Sequence, residues 1–151
     1  MTFVPLKKTC VRLRAFWAVS ILILAGCETL VLFFPPTTVT VLLVNDGSFP
    51  VSVDLFYSDV QEIPEFLLTE VGTEVNLTVG AGLSRTIIRD CDQFQAMIID
   101  NADLKVLGSI GPEASTGILR DGDEFGCGDV ITIRFSHSEA IVDFDVSTSI
   151  R

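Results

Sequence analysis

Apolar and polar positions alternate along most of the chain after residue 37. Residues 38–44 (TVTVLLV) are β-branched and apolar, Asn45-Asp46-Gly47-Ser48 is a turn signal, and residues 51–57 (VSVDLFY) resume the alternation. That pattern predicts a hairpin. Residues 73–79 (TEVNLTV) put Val75, Leu77 and Val79 on one face, Gly80-Ala81-Gly82 turns, and residues 83–89 return as a second predicted hairpin. Residues 94–100 (FQAMIID) and 104–107 flank Asn101-Ala102-Asp103, a third. The clearest pair is the last: residues 129–136 (DVITIRFS) align Ile131, Ile133 and Phe135, and residues 140–147 align Val142, Phe144 and Val146 against Asp143 and Asp145, with His137-Ser138-Glu139 at the turn. Between these, residues 63–68 (IPEFLL) suit a short helix or loop with Pro64 near its start. Glycine-rich residues 108–128 are the longest predicted loop. Seven or eight short strands separated by turns predict an all-β fold, an antiparallel β-sandwich of immunoglobulin-like or similar kind over residues 38–151. A small closed barrel is the alternative. The antibody pattern of cysteine, tryptophan, cysteine is missing, because the single tryptophan, Trp17, lies upstream.

The N-terminal pattern is of another kind. Residues 1–14 hold Lys7, Lys8, Arg12 and Arg14 and no acid, and residues 15–26 (AFWAVSILILAG) hold no charge. This charged-then-apolar order is that of a secretory signal peptide, an N-terminal hydrophobic helix. Twelve residues at 1.5 Å each span about 18 Å, short of the roughly 30 Å hydrocarbon core. The run ends in Leu24-Ala25-Gly26-Cys27, which resembles the lipobox of bacterial lipoproteins at all four positions. The resemblance covers residues 1–27 alone and implies recognition of Leu24, Ala25 and Gly26 by the signal peptidase, lipidation of Cys27, and removal of residues 1–26. Residues 27–37 then form a lipidated tether that includes Pro35-Pro36. In the family's sorting rule, Glu28 after the cysteine implies the outer membrane. The competing expectation is an uncleaved signal anchor over residues 15–34, which would place Glu28 inside the bilayer at a cost of about 3 kcal/mol. Both put the β domain outside the cytoplasm.

Cleavage changes the charge and the cysteine inventory. The whole chain carries a net charge of −10. Every acid lies at or after Glu28, so the mature chain keeps six basic residues against twenty acids, a net charge of −14. Such a surface disfavours nucleic acid and suits cations or a basic partner. With Cys10 in the leader and Cys27 claimed by lipid, Cys91 and Cys127 remain, and an exported compartment permits their oxidation. A bridge between them stabilises by about 4 kcal/mol in the chain-entropy model. Two buried free thiols are the alternative; a zinc site has little support from a chain with one histidine and no CxxC pair.

Acids flank both cysteines: Asp90-Cys91-Asp92, and Asp121, Asp123, Glu124 and Asp129 around Cys127. A bridge would gather these six carboxylates, a candidate calcium set, since calcium takes 6 to 8 oxygens. The bland expectation is that aspartate and glycine build turns there, without a cofactor. His137 reads as a solvated loop residue; no G-x-S-x-G element accompanies its neighbouring serines. The expected function is therefore that of a non-catalytic, lipid-anchored module of the cell envelope, binding another envelope protein or playing a structural part. A calcium-stabilised surface module is the first alternative and a small envelope hydrolase the second.

Overall fold

The computed structural model describes residues 35–106, 111–138 and 143–151. The lipobox, Cys27 and Val142 lie outside them. The chain divides into two units, Met1–Pro36 and Thr37–Arg151, and the described residues of the second hold nine strands and one helix: β1 (Thr38–Asn45), β2 (Val51–Ser58), α1 (Glu65–Val71), β3 (Thr73–Val79), β4 (Ser84–Asp90), β5 (Ala96–Leu104), β6 (Glu113–Ala114), β7 (Leu119–Arg120), β8 (Val130–Ser136) and β9 (Asp145–Ile150). A 3-10 turn, Cys91–Gln93, follows β4.

The strands form two sheets, one ordered β4-β1-β8-β9 and the other β3-β2-β5-β6, with β7 also on β5. Alternation does what the sequence predicts in β1, β2 and β8. Val39, Val41 and Leu43 of β1, Val51, Val53 and Leu55 of β2, and Ile131, Ile133 and Phe135 of β8 point into one core fed by both sheets. The sheets are not purely antiparallel, however: β1 runs parallel to β8, from Thr40 beside Val130 to Asn45 beside Phe135.

Two of the predicted hairpins are replaced by a different arrangement. β1 pairs with β4, Thr38 opposite Asp90 and Val44 opposite Ser84, whereas β2 pairs with β3, Val51 opposite Val79 and Tyr57 opposite Thr73. The four strands are thus one long two-stranded ribbon, folded across its middle so that each half joins a different sheet. The turn signals at 45–48 and 80–82 are sound, but they mark the fold of the ribbon rather than the tips of hairpins.

The fold line is held by Asn45, which is 1% exposed. Its amide donates to the carbonyls of Phe49 at 2.8 Å and Val79 at 3.0 Å, with Gly80 sharing at 3.2 Å, and its Oδ1 accepts the Gly47 N–H at 2.9 Å. One side chain therefore satisfies backbone groups on both bends, which pairing alone would leave unmet.

The third predicted hairpin is a single strand. Along β5, Met97 and Ile99 face the core, and so do Ala102 and Leu104. The phase slips by one because Asp54 pairs with Asn101 while Leu55 pairs with Ile99, leaving Asp100 as a bulge. The opposite face of β5 is covered as well. Ala96 and Ile98 pack with Ile63 and with Leu68 of α1, so residues 96–99 are buried on both sides and show no alternation. The loop predicted over 108–128 includes β6 and β7, which run along β5; Thr116 exchanges hydrogen bonds with the Ile99 backbone in both directions. The final two strands pair antiparallel as expected, with Phe135 opposite Val146, but the second of them runs Asp145–Ile150 rather than over 140–147; Phe144, just before it, stacks on Phe135 with ring centroids 6.4 Å apart.

Candidate functional site

Cys91 and Cys127 form a disulfide with Cα atoms 5.6 Å apart. It sits where β1 enters its sheet: the Cys91 N–H donates to the Thr37 carbonyl at 2.9 Å, and the Gly128 N–H to that of Thr38 at 3.0 Å. The bridge thus ties together the two segments that flank the first residues of β1.

Of the six acids around it, two use their carboxylates to build turns. Asp129 Oδ2 accepts the Gly126 N–H at 2.7 Å, and Glu124 Oε2 accepts the Arg120 N–H at 2.8 Å. Asp121 accepts from the Gln61 amide through its backbone carbonyl. Gly122, with φ of +79°, supplies the left-handed step this turn needs. Asp90, Asp92, Asp123 and Glu124 are exposed. Among the described residues no group of three or more histidine, cysteine, aspartate or glutamate side chains is placed to hold a metal ion.

His137 differs from its expectation as a solvated residue. It is half-buried, packed against Phe49 with ring centroids 5.7 Å apart. Its Nε2 accepts the Ser48 N–H at 2.9 Å, and its Nδ1 lies 2.8 Å from the Ser138 carbonyl. These partners assign the proton to Nδ1. A Cβ on Gly47 would lie 2.5 Å from the ring, so the glycine lets the histidine brace the folded ribbon from the side.

The strand pairing also creates a second set of carboxylates on the outer face of the β2–β3–β5 sheet, one that sequence reading missed. Asp54 of β2 lies among Glu74 of β3 and Asp103 and Asp100 of β5, and burial together with those three charges raises its pKa above the ordinary carboxylate value, with Lys105 acting in the opposite sense. Lys105 pairs with Asp103 at 2.9 Å. These acids are far apart in sequence, and only the register unites them.

Sequence reading also did not single out the surface around α1. The helix is seated through Leu68, its one buried residue, while Phe66 is 69% exposed, Val71 71% and the nearby Val60 52%. Beside Val71 lies an open cleft of about 250 Å³ lined by Tyr57, Ser58, Asp59, Thr73 and Gln93. Arg120 fixes the loop before the helix by donating to the carbonyls of Gln61 and Ile63, and Arg89 packs on Tyr57, 5.4 Å from the ring centroid.

No protein-family model matches this chain, and no curated protein matches it. Among solved structures it is similar to the NMR structure of the protein from Eubacterium rectale, at 18% identity over 74% of this chain and 87% of that one, with a TM-score of 0.44.

Proposed function

We propose that the chain is an exported lipoprotein, held to the outside of a membrane by lipid on Cys27, whose acidic β domain is a non-catalytic binding or structural module of the cell envelope. The observation that carries this reading is the basic, then charge-free N-terminus ending in Leu24-Ala25-Gly26-Cys27. The Cys91–Cys127 bridge supports it, since lasting disulfides belong mainly to oxidising compartments. The position of Glu28 favours the outer membrane. The finer architecture we propose is an immunoglobulin-like or similar two-layer sandwich, supported by the core that both sheets share. The non-catalytic part is supported by His137, whose two ring nitrogens are both engaged by backbone groups.

Lipid labelling and membrane fractionation of the wild type and of Cys27→Ser test the anchor. The wild type is expected to incorporate labelled fatty acid and to stay with the membrane. In the variant the label disappears and residues 1–26 are retained. Label incorporated equally by Cys27→Ser would overturn the proposal, and a wild type that is never labelled yet resists release from the membrane would establish the signal anchor instead.

A further inference from the structure

We propose that the face of α1 is a docking surface for a protein segment that presents an apolar side chain flanked by lysine or arginine. This deepens, and rests on, the reading of the domain as a binding module. A helix of seven residues seated by Leu68 alone has no packing reason to display Phe66 and Val71, yet both are more than two-thirds exposed. With Leu67 between them on the helix surface, they make an apolar strip that continues toward Val60.

Acids outnumber cations around the strip. Asp59, Glu62, Glu65 and Glu70 are all exposed, and the chain carries no lysine or arginine from residue 28 to residue 84. The two cations nearby are committed elsewhere, Arg120 to the Gln61 and Ile63 carbonyls and Arg89 to Tyr57. Apolar anchors inside a charged rim are the anatomy of a protein interface. Here the rim selects a basic partner and speeds its approach. The cleft beside Val71 offers the Asp59 carboxylate together with Ser58, Thr73 and Gln93, a set suited to a lysine or arginine side chain reaching past the apolar contact. The same acids argue against other occupants: a second copy would bring like charges together, and an anionic lipid surface would be repelled.

The test uses the full chain in nanodiscs of zwitterionic lipid and a fluorescent synthetic peptide that alternates lysine with phenylalanine, with binding to empty nanodiscs subtracted. The double variant Phe66→Ser, Val71→Ser is expected to weaken binding about fivefold or more, while Ile88→Ser, an exposed position on β4, leaves it unchanged. Raising sodium chloride from about 50 to 500 mM weakens binding to the wild type. Equal binding by the double variant, or equally tight binding of a peptide with glutamate for lysine, would overturn the proposal. So would self-association of the wild type in sedimentation that the double variant abolishes, since a second copy would then be the occupant. The two proposals fail separately: lipid labelling at Cys27 without peptide binding removes this surface alone, and absence of labelling removes the anchor alone.

Discussion

Asn45 shows how much of this fold hangs on one polar side chain. Buried amides are tolerated only when their partners are met, and Asn45 meets them on both bends of the ribbon. Asn45→Ala strands the Gly47 N–H and the Val79 carbonyl, so it is expected to cost about 3 kcal/mol. Urea unfolding checks this, and a loss under about 1 kcal/mol would show that the bends hold without the amide. Asp54 has the opposite character. Its pKa is raised in the folded protein, so the folded state binds more protons than the unfolded one just above the ordinary carboxylate value of 3.8. Stability contributed by this group therefore falls as pH rises through that window and stays lower at neutrality. Asp54→Asn is expected to raise the melting temperature at pH 7 and to change little at pH 3. A variant that melts lower than the wild type at pH 7 would contradict this account.

At the level of elements, strands proved legible and, apart from the β8–β9 pair, their partners did not. Alternation in β1, β2, β3 and β8 depends only on which face is buried, a local property that the order of side chains records. Partner choice is not local. The signal at residues 45–48 is equally compatible with a hairpin tip and with a crossing to the other sheet, and Asn45 decides between them through carbonyls more than thirty residues away. In β5 the bulge at Asp100 imitates a turn because it reverses the phase of burial, and cover by α1 erases alternation before it. The candidate site was legible to a similar degree. Pairing of Cys91 with Cys127 could be read from the inventory of thiols, but the carboxylates of Glu124 and Asp129 turn toward backbone N–H groups, a geometry no spacing records. The bridge itself joins the end of β4 to the turn before β8, across 36 positions. Replacing both cysteines with alanine is expected to cost roughly 4 kcal/mol. A double variant whose urea midpoint matches the oxidised wild type would show that the pairing of β1 alone holds these segments.

Across the whole molecule, the topology places the first strand of the domain in the interior of a sheet. β1 is flanked by β4 over seven paired residues and by β8 over six, with the disulfide beside its first residues. Inter-strand hydrogen bonds lie across the strand direction. A force applied upstream of Thr38 and directed along β1 therefore shears both ladders at once, and every bond shares the load. Had β1 been an edge strand pulled sideways, the bonds would have opened one after another. The fold in this sense resists tension along its first strand, the direction from which the lipid anchor we propose would load it.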